Sequence, residues 1–151
     1  MKIAFLNIYR NNNRGAESFV NELAARLSAK NSVTILGPEK DTWIVQPKST
    51  TGFLKRFFLD PSSISVLLFS LKLLPRLLKE KPDLVIPMNG FWQVVICKFL
   101  GCKILITGHS GPAWDERWNL YLKPDVFVAT TEPTAVWAKK TCPWTRVVVI
   151  P

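Results

Sequence analysis

The chain opens on a nearly unbroken apolar run, KIAFLNI at residues 2–8, followed by the polar segment YRNNNR at 9–14. An apolar run without alternation suits a strand buried on both faces. After Gly15-Ala16-Glu17 the spacing becomes helical, with Phe19, Val20, Leu23 and Leu27 on one face. Strand, loop and helix in this order put a helix N-terminus at the C-terminal edge of a parallel sheet. The unpaired N–H groups there attract phosphates and other anions.

The alternation continues along the chain. SVTIL at 32–36 predicts a second strand ended by Gly37-Pro38, and TWIVQ at 42–46 a weaker third. Residues 47–61 form an excursion, after which Ser62 or Ser63 caps a helix running to about Glu80. Its expected apolar face holds Ile64, Leu67, Leu68, Leu71 and Leu78, and Pro75 is expected to kink it or start a second segment. Strands follow at 84–87, 102–107, 126–129 and 146–150, with helices at 91–100, 113–122 and 134–140 between them. Lys81-Pro82-Asp83 and Lys123-Pro124-Asp125 form an internal echo: each proline stops a helix and returns the chain to the sheet. The expected fold is α/β and Rossmann-like: a doubly wound, mainly parallel sheet of about seven strands with helices on both faces, in one domain.

Composition narrows the class. At 151 residues and 48% hydrophobic content the chain can bury a sizeable core. Twenty basic against 11 acidic side chains leave a net charge of +9, which favours an anionic partner or serves solubility alone. Cys97, Cys102 and Cys142 have no zinc-like spacing and are expected as reduced, mostly buried thiols. With a single histidine, a His-based metal site is not expected, and no metal is assigned. The N-terminal run is too short, and its flank too polar, for a signal peptide. No segment is expected to span a membrane: the best candidate, Ile64 to Leu74, carries Lys72, precedes Pro75 and Arg76, and falls short of the ~20 apolar residues needed.

Four segments carry a family resemblance. Arg14-Gly15-Ala16-Glu17 resembles the Gly-Gly-Ala-Glu sequence after the first strand of GT4-type, GT-B-fold glycosyltransferases. Lys81 to Ile86 resembles that family's KPDVVH strand, Ile104 to His109 its VVTVHG strand, and Val147 to Pro151 the segment before its NGVD hinge. The resemblance covers the whole chain but only the family's first half. It implies the N-terminal, acceptor-side domain of a mainly retaining, usually metal-independent enzyme. Such an enzyme needs no cofactor and takes a nucleotide-sugar as substrate. It also implies a missing C-terminal domain that carries most donor contacts, so the chain alone is expected to be inactive.

The strand ends then acquire candidate roles. By resemblance, Arg14 and Gly15 face the donor diphosphate, although Arg14 stands where the family has its first glycine. Gly15 also fits a simple tight turn. Glu17 suits the first helical turn for dipole reasons as well as a chemical role. His109, past a strand and beside Gly108, Ser110 and Gly111, is the catalytic candidate: the matching family histidine contacts the donor sugar and supports transfer. Asn89, Gly90, Phe91, Trp92, Trp114 and Asp115 are candidates for an acceptor pocket, since aromatic faces bind sugar rings; helix packing is the other reading, and the preferred one for Trp118. Asp115 equally suits a helix cap.

Phe53, Leu54, Lys55, Arg56, Phe57 and Phe58 mix bulky apolar and basic side chains, as does LKLLPRLLKEK at 71–81. From Phe53 to Lys81 there are six basic and two acidic residues. This pattern suits docking on an anionic membrane surface, or a core helix with a basic outer face. The expected partners are a nucleotide-sugar donor and a glycan or lipid-linked acceptor, at a cytoplasmic location peripheral to the inner face of a membrane. Two alternatives stand beside this reading. One is a stand-alone flavodoxin-like module for a phosphorylated small molecule; the other is nucleic-acid binding, which rests on charge alone.

Overall fold

The structure, a computed structural model, describes residues 1–8, 15–38, 52–109 and 111–150, with the backbone only for 15–17. The expected third strand at 42–46 and the loop at 9–14 lie outside the described residues. Among the described residues six strands alternate with helices: β1 (Lys2–Leu6), α1 (Gly15–Ser28), β2 (Ser32–Leu36), α2 (Gly52–Arg56), α3 (Pro61–Glu80), β3 (Leu84–Pro87), α4 (Phe91–Phe99), β4 (Leu105–Gly108), α5 (Trp114–Tyr121), β5 (Val126–Ala129), α6 (Glu132–Thr141) and β6 (Arg146–Val149).

All strand pairs are parallel, but they form two three-stranded sheets, β2-β1-β3 and β4-β5-β6, rather than the single ladder expected. One isolated parallel bridge, Val85 to Ile104, joins them, with Val85 N–H donating to Lys103 O at 2.9 Å. The ladder stops for a covalent reason. In β3, Val85 faces β4 and the next residue to do so is Pro87, which has no N–H to donate. On its other side β3 stays paired, and Met88 N–H still reaches Leu6 O at 3.0 Å. The expected strand at 102–107 accordingly begins only at Leu105.

β1 is buried on both faces, and its residues divide the core. Ile3 and Phe5 pack with Val20 and Ala24 of α1, joined by Phe19, Leu23 and Leu27. Ala4, Leu6 and Ile8 pack on the other side with Val66, Phe69, Leu73 and Leu77 of α3 and Val94 of α4. Helices therefore cover both faces, as the unbroken apolar run requires.

α3 departs from expectation in its cap and in its inner face. Its cap is Asp60, not Ser62 or Ser63: Asp60 Oδ2 accepts from Ser63 N–H, and Oδ1 from the Ser63 hydroxyl at 2.6 Å. Pro61 takes the first helical position, so the cap must precede it. The helix runs through Pro75 without starting a second segment. The carbonyl the proline leaves without a helical partner belongs to Leu71, on the exposed face. The buried face holds Val66, Phe69, Ser70, Leu73 and Leu77, while Ile64, Leu68, Leu71 and Leu78 are exposed. The helix is apolar nearly all round, so periodicity alone could not choose the inner face. Ser70 tolerates burial because its hydroxyl donates to Val66 O at 2.6 Å. By length and composition, Gly52–Glu80 could cross a membrane. Here α2 and α3 are separate helices, and the inner face of α3 belongs to the core.

The two Lys-Pro-Asp segments fold alike. Lys81 and Lys123 end their helices in the left-handed region, with φ of 46° and 54°. Asp83 N–H donates to Lys2 O and Asp83 Oδ2 accepts from Lys2 N–H, at 2.9 and 2.7 Å. Asp125 does the same to Ile104, at 3.0 and 2.8 Å. Each motif clips the start of the neighbouring strand.

Cys97 and Cys142 are buried and Cys102 half-buried, all three free. Gly108 ends β4 against the fully buried Phe127, and a Cβ there would lie 2.3 Å from the Phe127 ring. Gly108→Ala is expected to lower stability by about 1–3 kcal/mol through forced repacking, read as an earlier midpoint in urea unfolding.

Candidate functional site

The ends of β3 and β4 face each other across the gap left by the interrupted ladder. A cavity of about 490 Å³ occupies it, lined on one side by Pro87, Met88 and Asn89 and on the other by Ile106, Thr107 and His109, with Asp115, Glu116 and Asn119 of α5 closing it. A second cavity, of about 390 Å³, adjoins it and shares Asn89, Gly90, Asp115 and Asn119. Phe91, Trp92 and Trp114 line this second one, with Phe58 and Lys55 opposite. All six acceptor candidates therefore line one cavity, and three of them also share the other with His109. Arg14 lies outside the described residues, and Gly15 opens α1.

Each wall has a local cause. Asn89 Oδ1 accepts from Ile8 N–H at 2.8 Å and from Gln93 Nε2 at 3.3 Å, while Gln93 Oε1 accepts from Asn89 N–H. Asn89 thus ties the end of β1 to the start of α4, and its carbonyl oxygen is already engaged. Gly90 precedes α4 at φ 85° and ψ −153°, a conformation open essentially to glycine alone. Phe58 stacks on Phe91, rings 4.2 Å apart and 7° from parallel, and leans on Trp114 at 5.0 Å. Trp92 Nε1–H donates to Phe58 O at 2.9 Å. Trp118 packs edge-on to Phe91 and Tyr121.

Phe58 is accordingly part of the cavity wall and leaves the expected surface-docking group. Phe53 and Phe57 remain outside, 70% and 58% exposed, in edge contact with each other. Lys55 and Arg56 flank them, and with Phe57, Trp114 and Trp118 they line a further open hollow.

His109 sits just past β4 with its ring edge-on to Phe19, centroids 4.7 Å apart. Partial burial lowers its pKa, which favours the neutral imidazole, a hydrogen-bonding group rather than a cation, near pH 7. Among the described residues no group of three His, Cys, Asp or Glu side chains gathers as metal ligands would.

The sequence reasoning passed over Glu116 and Asn119. They face inward from α5, 8% and 5% exposed, on the same side as Leu120. Asn119 Nδ2 donates to Glu116 Oε2 at 3.4 Å, and Asn119 Oδ1 is buried without a hydrogen-bond partner among the described residues. Burial pushes the Glu116 carboxyl up to about 7, Asp115 adding to the rise and the Asn119 bond opposing it. The available signal was the i, i+3 spacing of Glu116 and Asn119 with Leu120 beside them, which puts two polar groups on a core-facing stripe.

The parallel sheets with helices on both faces and a cleft at the strand ends define a Rossmann-like domain of GT-B type. The Glycosyltransferase Family 4 model matches residues 13–151, and the chain belongs to that family as an N-terminal domain. Solved structures share the fold. A UDP co-structure of MnaA from S. aureus superposes with a TM-score of 0.65 at 18% identity, over 98% of this chain and 43% of that one. MurG from Acinetobacter baumannii gives 0.60 at 12%, over 98% and 45%. The chain thus spans less than half the length of either. A search of curated proteins finds no match.

Because Glu116 binds its proton more tightly in the folded state, its contribution to stability falls as pH rises from about 4.5 to about 7 and levels off above. Glu116→Gln is expected to remove that slope. Relative to the parent, the variant should gain stability across this window, by at most about 3 kcal/mol, in urea unfolding at stepped pH.

Proposed function

We propose that this protein is the acceptor-side half of a retaining glycosyltransferase that moves a sugar from a nucleotide-sugar to a glycan or lipid-linked acceptor. The observation that carries the reading is the shared wall of the two cavities: His109 lines one, the aromatic acceptor candidates line the other, and Asn89, Gly90 and Asp115 line both. A donor and an acceptor bound side by side would meet there. The UDP in the co-structure of one structural neighbour supports a nucleotide-bearing donor as the kind of ligand.

In this reading the N-terminus of α1, with Gly15 and Arg14, takes the diphosphate through backbone N–H groups and charge. Neutral His109 donates a hydrogen bond to the donor sugar. Phe91, Trp92 and Trp114 receive the acceptor ring, and Asp115 accepts from its hydroxyls. A second, donor-binding domain completes the site, and no resident cofactor or metal is required.

With that domain supplied, joined or in trans, sugar transfer from a nucleotide-sugar is expected, and His109→Ala should lower kcat by about 10²-fold. The 151-residue chain is expected to release no nucleotide on its own. Turnover by the isolated chain would overturn the need for a second domain. Tight binding of a phosphorylated small molecule by that chain, with no transfer when the domain is added, would favour the flavodoxin-like module.

The proposed location is cytoplasmic, peripheral on the inner membrane face. Phe53, Leu54 and Phe57 would enter the lipid while Lys55 and Arg56 meet the headgroups. Phe53→Ser with Phe57→Ser should weaken sedimentation with phosphatidylglycerol vesicles by roughly tenfold or more and leave the melting temperature unchanged, since neither ring is in the core. Equal partitioning of parent and variant would overturn the docking assignment.

A further inference from the structure

We propose that the open hollow between α2 and α5 holds the linking phosphate of a lipid-linked acceptor. Lys55 and Arg56 take the phosphate, the lipid chain lies along Phe57 and Trp118, and the sugar passes Trp114 into the aromatic cavity. The inference rests on the acceptor reading above and deepens it by naming the group that joins lipid to sugar.

The hollow measures about 640 Å³ and its walls are accessible. Phe57, Trp114 and Trp118 are 58%, 41% and 46% exposed, and Lys55 and Arg56 are exposed as well. Neither cation has a carboxylate partner among the described residues. The two tryptophans stand one turn apart on α5. Each is held from behind, Trp114 by Phe58 and Trp118 by Phe91 and Tyr121, which leaves part of each indole facing outward. Indoles left in water beside cations are costly for a core but suited to the boundary between lipid and water. The docking reading sets Lys55 and Arg56 at headgroup depth, where the linking phosphate of a lipid-linked sugar also lies.

The charges of the two adjoining spaces order the ligand. Lys55 and Arg56 line the hollow and no carboxylate does, whereas Asp60 and Asp115 line the aromatic cavity. A phosphate is attracted to the first and repelled from the second. An uncharged sugar has the opposite preference: its hydroxyls donate to Asp115 and its apolar face packs on the rings. Lys55 and Trp114 line both spaces, so a ligand that bridges them passes between these two side chains. A free phosphate would leave Phe57 and Trp118 uncovered. A membrane phospholipid would cover them but bring no sugar to the cavity.

The test uses nuclear magnetic resonance on the 151-residue chain, following indole N–H signals. Trp118 lines the hollow and not the aromatic cavity; Trp92 does the reverse. The probes are geranyl phosphate and glycosyl geranyl phosphates of gluco, galacto, manno and N-acetylglucosamine configuration. Geraniol, inorganic phosphate and dihexanoylphosphatidylglycerol below its micelle concentration are the controls. Geranyl phosphate is expected to shift Trp118 and to bind roughly tenfold or more tighter than geraniol or inorganic phosphate. At least one glycosyl geranyl phosphate should shift Trp92 as well, and bind roughly tenfold or more tighter than the phosphatidylglycerol. Lys55→Gln with Arg56→Gln should weaken geranyl phosphate roughly tenfold and leave geraniol unchanged. Equal affinity of parent and variant would overturn the proposal, as would phosphatidylglycerol binding as tightly as every glycosyl probe. If Trp92 responds to a glycosyl probe and Trp118 does not, the hollow is overturned and the acceptor reading stands. If Trp92 responds to no glycosyl probe, both are overturned.

Discussion

Pro87 has no N–H to offer the strand beside it, and much of the cleft depends on that missing donor. With a different residue there, β3 and β4 would have a donor with which to extend their ladder past the Val85–Ile104 bridge toward the strand ends. Instead pairing stops after one bridge, and the space between Pro87-Met88 and Ile106-Thr107 becomes a cavity. The gap is bounded rather than loose. Asn89 fastens the far side of β3 to Ile8, and Gly108 lets β4 end flush against Phe127. An interruption in hydrogen bonding is tolerable at this point because the groups it frees lie at a solvent-accessible sheet end, where ligands of open parallel sheets gather.

The opposite edge of the sheet shows the complementary rule. There the two Lys-Pro-Asp segments close each strand start with a reciprocal pair of bonds, Asp83 on Lys2 and Asp125 on Ile104. Each half-sheet receives one clip, on β1 and on β4, the strands that begin the two sets of sequential pairings. The closed edge holds the strands in register while the open edge accommodates chemistry. The same tripeptide serves twice because it solves one local problem: a lysine in the left-handed region ends the helix, proline prevents its resumption, and the carboxylate takes the first strand N–H.

Much of this was legible in the sequence, for identifiable reasons. The β1 run and the α1 face had a single packing solution, so pattern determined structure. The strand-end positions of Asn89, Trp92, His109 and Asp115 followed from the alternation of elements. α3 was different: with leucines on every side, its inner face was decided by the sheet, and the stripe of Ile64, Leu68, Leu71 and Leu78 stayed outside. Ser62 and Ser63 are cap-forming residue types too, but Pro61 at the first helical position marks Asp60, the residue before it, as the cap. Glu116 and Asn119 escaped because charged and amide residues near a helix start ordinarily read as surface. Their burial is a tertiary fact.

The aromatic wall links the cleft to the surface. Phe58 belongs to the segment that leads out of the exposed helix α2, yet its ring stacks on Phe91 and its carbonyl accepts from Trp92. It holds this position with φ at 54°, which a side chain other than glycine adopts only under constraint. The stacking and the indole bond supply that constraint. Lys55, one helical turn earlier, then lines the aromatic cavity while Phe53 and Phe57 are exposed. A five-residue helix with no buried residue would otherwise have little reason to hold one orientation. Anchored through Phe58, it is fixed relative to Phe91 and Trp114. The exposed pair of aromatic rings and the wall of the aromatic cavity are thereby joined through Phe58.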